Sequence, residues 1–339
     1  MKPTIYDVAK KAGVSIATVS KVINNTGRIS EERRKMVTKI MEELEYQPSS
    51  VAAALTGKKT FTIGMLIPDI ANPFFAEVSR ALENHARETG YAIILCSTDY
   101  QTEREHEYLE LLLKKQVDGI IIATEPKDLN VYKKLASKKI PHIFFSIDHP
   151  SFISHVVTTD DVRGGYLAGR YLLEKGHRHL AVIAETNRTS GRLRIEGFIQ
   201  ALKEEGIGFD ENLLIHSKSK IEDAKSAAQI ILSMENRPTA VFAGTDLIAT
   251  IFVNQARKKQ ISIPDEISII GFDNTIQAEL AEPGLTTIAQ PIDELAHYVI
   301  QNLLKSVENP TMPGHRIMLV PELIERQSVK QLTQNQNVD

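Results

Sequence analysis

Between Thr4 and Asn24 the chain gathers side chains that suit a nucleic acid. Over residues 16–23, Val19, Val22 and Ile23 recur at helical spacing and face a core, which leaves Ile16, Ala17, Ser20 and Lys21 on the outer face. Lys21 can donate to guanine O6 and N7, whereas Ile16 and Ala17 can only touch apolar groups such as a thymine methyl. Tyr6, Ser15, Thr18 and Asn24, with Thr4 opening the preceding helix, fit phosphate oxygens and fix register rather than sequence. Ser20 alone is equally a solvated surface residue. Together these residues describe a helix face that enters a major groove.

A second set lies far along the chain. Arg188, Ser190 and Arg194 open an expected helix over 189–205, and Asp273 follows the apolar run Ile269-Ile270-Gly271-Phe272. A guanidinium facing a carboxylate can clamp ligand hydroxyls or polar ring edges, or form an ion pair with a structural role. Thr245, Asp246 and Gln290 are further candidates for such a cleft. Phe74 and Phe75 follow Asn72-Pro73, a helix start in which Asn caps and Pro takes the first position. Their rings can stack on a sugar or planar ring, or fill the core.

Enzyme motifs are missing. The sequence has no G-x-G-x-x-G fingerprint, Walker A loop, G-x-S-x-G elbow or H-E-x-x-H helix. His177-Arg178-His179 is the best hint of a metal site, but it follows the helix-ending Gly176, where a His suits the helix's negative end. Asp160-Asp161 could mimic paired acid and base carboxylates, but capping of the next helix by Asp161 explains it better. The expectation is no catalytic residue, no metal and no cofactor, and hence no enzyme.

Three short helices must position the first set. Thr4-Ile5-Tyr6-Asp7 reads as a capping box, with Thr4 accepting from a first-turn amide and Asp7 reaching back to the cap. Ile5, Val8, Ala9 and Ala12 then share one face, and Gly13 ends the helix. Ser15 caps the second helix; Ser30 caps a third, whose apolar stripe is Val37, Ile40, Met41 and Leu44. The first two make a helix-turn-helix. Residues 49–57 read as a short alanine-rich helix, too short to hold alone. Small side chains such as Ala52 would let two copies pack across a dimer axis, and Leu55 could wedge between base pairs in the minor groove. A plain linker is the alternative.

From Phe61 onward, apolar strands alternate with amphipathic helices, the strands falling at 62–67, 91–96, 119–123, 142–147, 180–184, 240–244 and 267–271. Runs such as Ile120-Ile121-Ile122 lack alternation, as parallel strands covered on both faces do. The order predicts a doubly wound α/β body with ligands at the carboxyl ends of its strands. Residues 1–60 hold 11 Lys and Arg against 6 Asp and Glu, while the remainder holds 29 against 37. A basic arm on an acidic body suits a polyanionic partner. The one cysteine, Cys96, permits no internal disulfide, and no signal peptide or membrane-length apolar run occurs, so a cytoplasmic protein is expected.

Thr4-Ile5-Tyr6-Asp7-Val8-Ala9, Ala12-Gly13-Val14-Ser15, Thr18-Val19-Ser20 and Val22-Ile23-Asn24 together resemble the signature of the LacI/GalR family of bacterial regulators. Cys96-Ser97-Thr98-Asp99-Tyr100 and Asp160-Asp161-Val162-Arg163-Gly164-Gly165 are similar to one branch of that family. The resemblance implies a homodimer on a near-palindromic double-stranded operator, with hinge helices that order on DNA and Leu55 wedged at a central C-G step. It divides the chain into a headpiece (1–48), a hinge (49–60), an effector and dimerisation domain (61–331) and a polar tail (332–339). The large domain would resemble a periplasmic sugar-binding protein, with lobes of about 61–159 plus 291–318 and 160–290 plus 319–331, joined by three crossovers. Phe74, Arg194 (within Arg194-Ile195-Glu196-Gly197-Phe198) and Asp273 match positions that reach the effector, a sugar or related metabolite. Ser146 stands where several relatives carry Asp, an aromatic common near Ser219 is missing, and Ile16 and Ala17 replace polar residues. The implied role is that of a bacterial repressor, cytoplasmic and on the nucleoid when bound. Residues 328–339 hold no leucine heptad for a tetramer.

Overall fold

Val8, Val19 and Val37 are fully buried, and around them the first three helices, Ile5–Ala12, Ile16–Ile23 and Glu31–Glu43, close into one small core. Each such valine contributes about 1.5–3 kcal/mol of burial. The structure is a computed structural model that describes residues 3–23, 26–46, 59–125, 129–149, 154–218 and 220–332. Asn24, the expected hinge helix with Ala52 and Leu55, and the tail from 333 lie outside the described residues. The chain forms two compact units, one running to Thr60 together with Leu113–Gln116, the other comprising Phe61–Leu112 and the chain from Val117.

Within the first unit, Gly13 takes a left-handed φ of 60°, which any side chain would strain, and so turns the chain from the first helix into the second. Ser15 Oγ accepts from the Thr18 amide at 3.2 Å and caps the second helix. The expected capping box of Thr4 and Asp7 is present, with Asp7 accepting from the Thr4 amide at 2.8 Å and the Thr4 hydroxyl also donating to the Asp7 carboxylate at 2.7 Å. One cap of this unit differs from the sequence expectation. Ser30 holds the third N-cap position by backbone alone, with no side-chain bond.

The second unit is a mixed α/β body with two six-stranded sheets. The first orders its strands β11-β5-β4-β3-β1-β2, all parallel: β1 Thr62–Ile67, β2 Ala92–Ser97, β3 Gly119–Ile122, β4 His142–Phe145, β5 His155–Thr159 and β11 Arg316–Leu319. The second runs β12-β10-β9-β8-β6-β7, from β6 Leu180–Ala184, β7 Leu214–His216, β8 Ala240–Ala243, β9 Ser268–Asp273, β10 Thr286–Ala289 and β12 Glu322–Ile324. Only β12 is antiparallel to its neighbour. The chain changes sheets three times: after β5, after β10 and between β11 and β12. Central strands such as β3 and β6 are buried along their whole length, as their unbroken apolar runs require. Five strands went unanticipated: β5, β7, β10, β11 and β12.

One helix pair positions the site. Helices Asp161–Glu174 and Thr189–Glu204 touch backbone to backbone, because a Cβ on Gly165 would collide with the Arg194 carbonyl and one on Gly197 with the Val162 carbonyl. Phe198 and Phe242 stack beneath them, with ring centroids 5.1 Å apart. Overpacking of this kind costs about 1–3 kcal/mol or more, and a body of this size loses about 2–4 °C per kcal/mol. Gly197→Ala should therefore lower the melting temperature of the body by several degrees in a thermal unfolding scan. An unchanged melting temperature would mean that the helices part without cost.

Candidate nucleic-acid interface and ligand cleft

With the valine core packed, the second helix turns Ile16, Ala17 and Lys21 to the surface, Ile16 with 40% of its area exposed. Ser20 on the same face is half-buried. Ser15 and Thr18 share a hydroxyl–hydroxyl bond of 2.9 Å at the start of that helix, and Tyr6 stands 67% exposed on the first. Thr4 is exposed as well. The surface therefore presents one ammonium, two apolar contacts and a flank of hydroxyls. Hydrogen bonds from Thr4 hold the Asp7 carboxyl below its ordinary value, so the one acid at this end is ionised in the cap.

In the body, strand carboxyl ends from both sheets meet at one cavity of about 50 Å³, room for a few waters. Phe74, Phe75, Ser146, Arg188, Ser190, Arg194, Thr245, Asp273 and Gln290 all line it; Asp246 does not. That carboxylate is fully buried and accepts from the Thr275 amide at 2.7 Å and the Thr287 hydroxyl at 2.6 Å. Burial pushes its pKa up to about 6, against the pull of those bonds. Asp246 ties Thr275 to Thr287 and leaves the cavity to its neighbours.

Arg194 is the centre of the site. Its Nε donates to Asp161 Oδ1 at 2.7 Å, and Nη1 donates to the Gly244 carbonyl at 2.6 Å and lies 3.5 Å from Asp273 Oδ1. The guanidinium also covers the Phe272 ring, 3.6 Å from its centroid. Burial lifts the carboxyls of Asp161 and Asp273 above their ordinary values, and the Arg194 charge opposes that shift. Asp273 ends β9 at a φ of 113°, a strained conformation that aims its carboxylate at Gln290 Nε2, 2.8 Å away. Gln290 in turn accepts from Thr159 at 2.7 Å, so a bonded relay runs from the end of one sheet to the end of the other.

Around this centre the cavity wall mixes apolar and polar groups. Phe74 and Phe75 meet edge to face at 5.2 Å, and Phe74 stacks on Phe145 at 6.4 Å; both are buried but line the cavity. Asn72 caps their helix, Pro73–Glu88, by accepting from the Phe74 amide at 3.0 Å. Ser146 sits at a φ of 55° with its hydroxyl buried and no bonding partner among the described residues. Such an unmade bond is what a ligand hydroxyl or ring nitrogen would satisfy. Arg188 lies over the Tyr100 ring at 4.4 Å and 3.4 Å from Glu185, at the border of a second cavity of about 310 Å³.

Sequence reasoning missed Asp161, Glu125 and Glu185, which line the cavity too. The helix is capped by Asp160, whose Oδ1 accepts from the Arg163 amide at 2.9 Å, and not by Asp161. The pairing of Asp161 with an arginine 33 positions on leaves no mark in local spacing. His177 is a structural strut: buried, it meets the Thr239 hydroxyl at 3.0 Å and the Lys330 carbonyl at 3.1 Å, and burial lowers its pKa to about 4. Among the described residues no group of three His, Cys, Asp or Glu is placed to hold a metal ion, and no helix is long and apolar enough to cross a membrane.

A helical headpiece that presents a lysine, two apolar side chains and flanking hydroxyls on one helix face, joined to a two-sheet body with an inter-sheet cleft, defines a DNA-binding regulator with a ligand domain. Residues 4–49 match the model of the bacterial regulatory proteins of the lacI family, and residues 170–329 match a periplasmic binding protein-like domain. The HTH-type transcriptional regulator DegA of Bacillus subtilis is 46% identical over 336 residues, 98% of this chain and 99% of its own. The HTH-type transcriptional repressor PurR of Photobacterium profundum is 35% identical over 331 residues, 97% and 99% of the two chains. The chain belongs to the lacI family. Among solved structures, the lac repressor dimer bound to operator and the anti-inducer ONPF superposes with a TM-score of 0.86 at 25% identity, over 97% of this chain and 100% of its own. A LacI family transcriptional regulator from Enterococcus faecium with bound ribose gives 0.73 at 34% identity, over 80% and 100%.

Removing one partner of a buried ion pair costs about 3–5 kcal/mol, because the other charge is left uncompensated. Arg194→Ala should therefore destabilise the body strongly in urea titration, and Arg194→Ala/Asp161→Asn should recover part of the loss. A double variant no better than the sum of its parts would show that the two side chains are not coupled.

Proposed function

We propose that this chain is a homodimeric, effector-responsive repressor that reads a palindromic operator in double-stranded DNA. The observation that carries this reading is the face on which Ile16, Ala17 and Lys21 stand exposed over a closed core, flanked by Ser15 and Thr18. Two such headpieces would enter successive major grooves about one helical turn apart. The hinge segment, with Ala52 and Leu55, would pair in the minor groove and bend the duplex, the added contacts offsetting the deformation. Thr4, Tyr6 and Asn24 would join Ser15 and Thr18 on phosphates. The protein would act in the cytoplasm, on the nucleoid when bound, with no catalysis, metal or cofactor of its own.

The effector would lie in the cavity at the strand ends, where Phe74 and Phe75 offer rings and Ser146, Arg194, Asp273 and Gln290 offer polar groups. Sheet membership supports lobes of 61–159 plus 291–318 and 160–290 plus 319–331. The bound ribose of the Enterococcus relative favours a sugar-like ligand. A ligand that prefers one arrangement of the lobes would change the spacing of the hinge pair and so the operator affinity. Coupling of this kind amounts to about 1–3 kcal/mol.

Selection from random duplexes followed by gel shift should return one near-palindromic site. Lys21→Ala should relax preference at one base pair per half-site by about 1–3 kcal/mol, and Leu55→Ala should weaken specific binding while sparing salt-dependent, non-specific binding. Equal affinity for every duplex would sink the proposal.

A further inference from the structure

A helix start at residues 188–192 carries two arginines, Arg188 in the cavity wall and Arg192 exposed one turn on, the groups that ordinarily hold a phosphate. Here an acid from the other sheet occupies the place. Glu125, just after β3, accepts from the Thr189 amide at 3.2 and 3.3 Å and from the Thr189 hydroxyl, and its carboxylate lies 3.8 Å from Arg192 Nη2. Arg188, at the N-cap position of the 16-residue helix Thr189–Glu204, gives the first turn no side-chain bond, so the carboxylate of Glu125 completes the cap.

We propose that Glu125 sets the charge of the effector: by filling this anion-holding place with its own carboxylate, the chain closes the cleft to phosphate and carboxylate groups and selects an uncharged, hydroxyl-bearing ligand. The inference rests on the reading of the cavity as the effector site. The balance of charge around the cavity supports it. Four carboxylates line the space, from Glu125, Asp161, Glu185 and Asp273, against the guanidiniums of Arg188 and Arg194. Each guanidinium is already engaged: Arg194 by Asp161 and the Gly244 carbonyl, Arg188 by Glu185 and the Tyr100 ring. An entering phosphate would meet the Glu125 carboxylate at the helix start, with the nearby guanidiniums already engaged, in a setting where burial weakens screening. A neutral polyol meets the opposite: carboxylate oxygens to accept from its hydroxyls, and the buried Ser146 hydroxyl that has no partner among the described residues. Glu125 and Arg188 also line the second cavity, so the same acid borders both compartments.

The test uses full-length protein and inorganic phosphate as the probe, read by thermal shift at constant ionic strength. Wild type should not respond. Glu125→Gln, which keeps an acceptor for Thr189, and Glu125→Ala should each gain saturable stabilisation, with phosphate bound at least about tenfold more tightly than by wild type, since like charges in apposition are strongly unfavourable. Adding Arg192→Ala to Glu125→Ala should abolish the gain. Wild type binding phosphate as well as the variants do, variants that gain nothing, or a gain that survives loss of Arg192 would each overturn the proposal. Gel shifts on the same proteins without phosphate keep the two questions apart: failure to bind any operator sinks the regulator reading and leaves the phosphate result to stand alone.

Discussion

Among the described residues of the body one arginine, Arg194, is buried, and burying its guanidinium constrains everything near it. An isolated charge in such a place is prohibitively unfavourable, so the fold must bring a carboxylate and further acceptors to it. Asp161 can reach only because two helices meet without side chains between them, which is why glycine stands at 165 and 197. The remaining acceptors come from strand ends: the carbonyl after β8 and the carboxylate that closes β9. Tight helix packing, a strained Asp273 and a polar cavity are thus three consequences of one buried charge.

The same charge sits where the two sheets communicate. Thr159, Gln290 and Asp273 form a chain of bonds from one sheet to the other. Two acids of the first sheet's layer, Glu125 and Glu77, cap helix starts belonging to the second, Glu77 by accepting from the Ile276 amide at 2.7 Å. Any rearrangement of the lobes must break or remake these bonds. A ligand can bias that choice only through contacts that differ between the arrangements.

Much of this was legible in sequence. The headpiece could be read because its helices are short, capped and regularly spaced in apolar residues. Central strands showed as unbroken apolar runs. Four of the five strands that escaped notice are polar or very short: His155–Thr159 and Thr286–Ala289 each carry at most two large apolar residues, and Leu214–His216 and Glu322–Ile324 have three residues each; the fifth, Arg316–Leu319, is a four-residue edge strand. In the cleft, residues next to strand ends or in a helix's first turns could be named, because position alone identifies them. Asp161 and Glu125 could not. Their roles depend on partners 33 and 64 positions away, and no local period encodes a contact of that kind. Asp246 shows the reverse failure, since a strand-end acid can also turn inward to tie neighbouring strands and loops together.

Linkage requires that if the cleft controls operator affinity, the operator must also act on the cleft. Hydrogen exchange at the amides of Thr189 and Ile276 reports that directly, because both are held by acids from the opposite sheet. Exchange there should change on adding the selected operator and stay unchanged with a scrambled duplex at equal concentration. Identical protection with both duplexes and with no DNA would contradict the account.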